Sequence, residues 1–64
     1  MAATIYFGKD QESVNSDMTI EQAVSSLGRF PDTYLYIVSE KPVPMTTVII
    51  DGMVIKAVRI ASGG

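Results

Sequence analysis

Helical punctuation occurs at only one place in this 64-residue chain, and strand-forming runs lie on both sides of it. Thr19 with Gln22 three residues on spells a capping box, in which each side chain satisfies the other's unpaired backbone donor. Ile20, Ala23, Val24 and Leu27 follow at the spacing of one apolar helical face. Gly28 then stands where a left-handed residue ends a helix, and Pro31 prevents continuation. The spacing predicts a short helix of about two to three turns. One helix cannot supply the crossovers of repeated strand-helix-strand units. The strands must instead form a single mixed sheet, four- to five-stranded, that curls over the helix, which makes the class α+β.

Residues 4–7 are β-branched or aromatic, and Gly8, Lys9, Asp10 and Gln11 supply turn chemistry, so a first strand runs into a tight turn. Residues 12–15 return as a short second strand with Val14 facing inward. Residues 34–38 are strong strand formers without polar interruption, as expected of a central strand at least partly covered on both faces. Tyr34 and Tyr36 belong there as packing rather than as a binding surface, given the area each buries. Pro42 and Pro44 remove ladder donors and confine their segment to an edge or border. Val48, Ile49 and Ile50 lead into the Asp51 and Gly52 turn, after which residues 53–60 form the last and longest strand.

The chain has no cysteine and no histidine. Those absences remove the commonest nucleophiles, the usual neutral-pH base and the main transition-metal ligands, so no metal, disulfide or bound cofactor is expected. A core of this size stabilises a single domain by about 3 to 5 kcal/mol and leaves no room for a large buried cleft. The chain therefore reads as no enzyme. A net charge of −2 with five scattered basic residues offers no stripe to neutralise phosphates, which argues against direct nucleic-acid binding. No basic-then-apolar leader starts the sequence and no apolar run approaches the roughly 20 residues that span a bilayer, so a cytoplasmic monomer with no membrane contact is expected. The carboxylate pairs Asp10 with Glu12 and Asp17 with Glu21 fall in turns or beside the helix start, where negative charge favours the helix dipole without acid-base chemistry.

The sequence closes on Ser62, Gly63 and Gly64 directly after an apolar strand. A carboxylate is a poor electrophile, and attaching it to anything requires activation, usually by attack on the α-phosphate of ATP. Glycines lack Cβ and let the main chain thread a narrow channel, and chain ends fray enough to reach one. The expected organisation is a domain over 1–60 and a flexible tail over 61–64. Within the last strand the two-residue period sends Lys56 outward, because burying an unpaired lysine is costly. Val58 and Ile60 share that outward face, while Ile55 and Ala57 point into the core. Lys56, Val58, Ile60 and Ser62 are thus the residues by which an activating enzyme would grip the chain, and Lys56 and Arg59 either meet acidic groups on a partner or are simply solvated. Lys41, beside a loop, is the most accessible lysine for receiving a second copy; the plainer role of Lys9, Lys41 and Lys56 is solubility.

A hairpin, a helix opened by Thr19, Ile20 and Glu21, further strands and a last strand running into Gly63 and Gly64 resemble the β-grasp fold of ubiquitin-like proteins. Val43 with Pro44, then Asp51 with Gly52, then twelve residues to the end resemble the prokaryotic sulfur carriers and archaeal small ubiquitin-like modifiers. Many thiamine-pathway carriers have Arg after the Val-Pro pair and a nearby Trp, whereas Met45, Thr46 and Thr47 stand here and tryptophan is absent. Asp-Gly-Asp is common at the last turn of the family, and Met53 replaces its second Asp. Molybdopterin-synthase small subunits share the fold but are generally longer. The resemblance implies that an ATP-dependent adenylating enzyme activates Gly64, with ATP bound by that enzyme and not by this chain. The product is then a thiocarboxylate for a sulfur-acceptor enzyme or an isopeptide on a target protein's lysine. Two alternatives stay open: a non-covalent interaction module whose Gly-Gly ending is incidental, and a molybdopterin-synthase small subunit held by a larger catalytic partner.

Overall fold

The α-helix, α1 (Ile20–Ser26), forms between the caps that the sequence spells. Thr19 Oγ1 accepts from the Gln22 N–H at 3.1 Å, and Gln22 Oε1 accepts from the Thr19 N–H at 3.0 Å. At the other end Gly28 adopts φ +80, which carries its N–H to the Ser25 carbonyl and that of Arg29 to Val24. That pair of bonds satisfies two carbonyls a helix otherwise leaves open. Ile20, Ala23 and Val24 are buried, so the apolar face meets the sheet as its spacing requires.

The computed structural model describes residues 2–60. They form a small α+β domain with a five-stranded mixed sheet of β1 (Ala2–Phe7), β2 (Asp10–Asn15), β3 (Tyr34–Val38), β4 (Lys41–Val43) and β5 (Val54–Arg59). The strand order is β2-β1-β5-β3-β4. β1 and β5 pair parallel at the centre, and every other neighbour is antiparallel. The last strand in sequence is thus the middle one in space. Ala3, Ile5 and Phe7 of β1, Val14 of β2, Tyr36 of β3 and Ile55 and Ala57 of β5 form one buried layer against α1. Ile49, from the irregular segment before β5, completes it.

Several boundaries differ from the sequence reading. The first turn is Gly8 and Lys9 alone, because Phe7 already pairs with Asp10 and β2 begins two residues before 12. Gly8 at φ +62 opens a two-residue hairpin in the manner of a type II′ turn, whose first central position demands a left-handed angle. β5 has six residues, as do β1 and β2, so it is not the longest strand. Met53 stays outside it because its N–H closes a turn on the Ile50 carbonyl at 3.1 Å. A short 3₁₀ helix at Pro31–Thr33, absent from the sequence reading, brings the chain from α1 to β3. β3 does lie inside the sheet and β4 at its edge, as the proline placement requires. Residues 61–64, and with them the expected tail, lie outside the described residues.

Candidate functional site

Among the described residues no helix covers the outer face of the sheet, and the side chains there follow from the alternation of β5. Ile55 and Ala57 are buried, which leaves Val54, Lys56 and Val58 on the opposite face. The register sets Tyr6 of β1 on one side of Lys56 and Ile37 of β3 on the other, and it sets Leu35 beside Val58. Leu35, Val54, Val58 and Ile60 are each 44–51% exposed. A branched apolar row therefore runs along the centre of the sheet with Lys56 in its middle. A lysine in that position lays its alkyl stem on its neighbours and keeps its ammonium in water.

The expected outward residues Lys56, Val58 and Ile60 are thus brought onto one exposed face, at the end where β5 gives way to the last residues. Ile60 follows the strand, and its N–H still donates to the Thr33 carbonyl at 2.8 Å. Ser62, Gly63 and Gly64 lie outside the described residues. Lys41 is exposed at the start of β4, at the opposite edge from β2 and separated from β5 by β3. Tyr6, Leu35 and Val54 belong to the same apolar face but were not singled out from sequence. For Leu35 a signal existed: placing Tyr34 and Tyr36 inward forces it out.

A second cluster closes the inner side of the same end of the sheet. The Arg29 guanidinium lies 4.2 Å from the centre of the Phe7 ring, donates to Tyr34 Oη at 3.0 Å and stands 3.8 Å from Asp10. Phe7 and Tyr34 meet edge to face at 5.2 Å. The cation on the ring and the tyrosine bond hold the helix exit against β1 and β3, while the exposed ion pair adds little. Tyr36 donates its hydroxyl to the Pro31 carbonyl at 2.8 Å. Burial, with Tyr34, Asp32 and Glu21 nearby, pushes that hydroxyl up to about 12.

Among the described residues no three His, Cys, Asp or Glu side chains converge as metal ligands, and no helix is long and apolar enough to cross a membrane. The outer face combines an exposed apolar row with Lys56, and β5 ends on a second exposed cation, Arg59. No protein-family model matches the chain, and no curated protein matches it.

Proposed function

We propose that the chain is a ubiquitin-like β-grasp protein that works as a sulfur carrier, a protein modifier or both, in the cytoplasm where ATP is at hand. The proposal takes Gly64 as the carboxyl terminus of the working protein. Its carboxylate attacks the α-phosphorus of ATP in an adenylating enzyme and releases pyrophosphate. Hydrosulfide then displaces AMP to leave a thiocarboxylate, or a lysine amine displaces AMP to give an isopeptide. The chain is the substrate of this chemistry and not its catalyst.

One observation carries the reading: the strand that precedes Gly63 and Gly64 in sequence is the middle strand of the sheet, and beside its end runs an exposed apolar row that includes Val58 and Ile60. An enzyme that holds the row holds the domain by a surface whose last residue, Ile60, is only four positions before Gly64 in sequence. The order β2-β1-β5-β3-β4 with a parallel central pair and one helix over one face also supports the β-grasp assignment. A second reading, a non-covalent interaction module, draws on the same apolar face without the tail.

Two variants separate the readings in an ATP–pyrophosphate exchange assay with the activating fraction of the native cell. One residue added after Gly64 should abolish exchange, and Val58→Asp should raise the concentration needed for it with the fold intact. Exchange that survives the extension contradicts the carrier reading. Capture of a partner that depends on Val58 but not on the tail would favour the module.

A further inference from the structure

Beside the last residues of β5 the sheet lacks a strand. β1 ends at Phe7, opposite Ala57, whereas β5 runs on to Arg59. The register with β3 fixes the direction of the unmatched backbone. Ile60 donates its N–H to the Thr33 carbonyl, so residues 56, 58 and 60 turn their polar groups toward β3, and alternation turns those of Arg59 away from it. The bond from the Thr4 N–H to the Met53 carbonyl at 3.0 Å sets the same parity from the β1 side. Gly8, with its left-handed φ, then takes the chain into the hairpin turn after Phe7, the last residue of β1 to pair with β5. The Arg59 N–H and C=O face an opening in line with β1.

That opening forms an open groove of about 550 Å³. Tyr6, Lys56 and Val58 reach it from the outer face of the sheet, and Phe7, Arg29 and Tyr34 from the inner face. Its charged lining residues are Arg29, Lys56 and Arg59, all cationic. Asp10 offsets Arg29 from 3.8 Å, whereas Lys56 and Arg59 have no ion-pair partner among the described residues. On a chain whose net charge is −2, this is a local excess of positive charge.

We propose that the groove receives an extended, acidic segment of a partner protein, which adds a short strand beside β5 at Arg59. Its main chain pairs with the free Arg59 groups, and its side chains alternate between the Tyr6 and Val58 wall and the Phe7 and Tyr34 wall. Acidic positions then meet Lys56 and Arg59. The other two edges of the sheet disfavour such a segment. β2 bears Asp10 and Glu12, which repel it, and β4 has only three residues, of which Pro42 has no N–H. This proposal does not depend on how Gly64 is used.

The test titrates the isotope-labelled full chain with a short, end-blocked peptide of Val-Val-Glu-Glu repeats, which sets acidic side chains on both faces of the added strand, read by amide chemical shifts and hydrogen exchange. The expected result is saturable binding with shifts centred on Gly8, Val58 and Arg59, and slowed exchange of the Arg59 amide. Lys56→Glu combined with Arg59→Glu, both exposed positions, should weaken binding at least about fivefold. A peptide methylated on alternate backbone nitrogens should not bind, because it cannot pair. Shifts centred instead on Gln11 and Ser13 of β2, binding unchanged by the methylation, or no saturation by about millimolar peptide would each overturn the proposal.

Discussion

Val48, Ile49 and Ile50 are three consecutive branched residues with nearly the same chemistry, and the fold gives them opposite weights. Ile49 has no solvent exposure, while Val48 and Ile50 are 55% and 62% exposed. The backbone holds Ile49 in place on both sides: its N–H donates to the Met18 carbonyl at 2.7 Å, and its carbonyl accepts from the Asp17 N–H at 3.0 Å. Ile49→Ala removes three carbons from the core. At about 0.8 kcal/mol per buried methylene the transfer loss alone is about 2.4 kcal/mol, and a cavity that closes only in part raises it to about 3 to 4 kcal/mol. A domain of this size has about 3 to 5 kcal/mol in total, so the variant should stand at the edge of unfolding without denaturant. Val48→Ala and Ile50→Ala should each cost no more than about 1 kcal/mol. Urea unfolding followed by far-ultraviolet circular dichroism measures all three. An Ile49→Ala loss below about 1 kcal/mol, or an equal loss at Val48 or Ile50, would refute the seating of this segment against the helix.

Three further outcomes test other parts of the account. Thr19→Ala should destabilise by about 1 kcal/mol and Thr19→Ser by much less, since serine keeps the oxygen that accepts from Gln22. Ser39 and Glu40 form the β3–β4 turn with φ of 53 and 66, a left-handed pair that side chains resist, so Glu40→Gly should stabilise by about 1 kcal/mol in the same denaturation assay. Tyr36 is held neutral by the fold, with its hydroxyl raised from 10.0 to about 12. Between those values the unfolded chain binds fewer protons than the native one, so stability falls as pH rises from 10 toward 12. Tyr36→Phe should lack that component, which parallel unfolding midpoints of the two proteins will show.

The elements that were legible in the sequence are those whose signals are local. The Thr19 and Gln22 pair, Gly28 and Pro31 fix the helix without reference to anything distant, and Pro42 fixes β4 as an edge because a missing donor is a property of one residue. Lys56 made the two faces of β5 readable, since its charge allows only one assignment of the alternation. What was not legible depends on pairing across the chain. No local pattern says that β1 and β5 lie side by side and parallel, and without that pairing the end of β1 cannot be seen to fall short of Arg59. Residues Ser39 and Glu40 carry the opposite lesson: tertiary pairing of β3 with β4 imposes backbone angles that neither residue prefers. The cluster of Arg29 on Phe7 and Tyr34 was hidden for the same reason, because its members come from three separate elements. The apolar outer face was legible wherever the alternation was fixed, at Val58 and Ile60 and by the same parity at Val54 and Leu35; Tyr6 required the register.

The most direct measurement is the intact mass of the full chain after incubation with ATP, a sulfide source and the activating fraction of the native cell, with peptide mapping of the C-terminal fragment. The account predicts that the fragment ending in Gly64 gains the difference between one sulfur and one oxygen, or appears joined through Gly64 to a lysine side chain. An unchanged fragment, with no adenylate trapped and no conjugate formed although the activating fraction charges its own known substrate, would contradict the carrier reading.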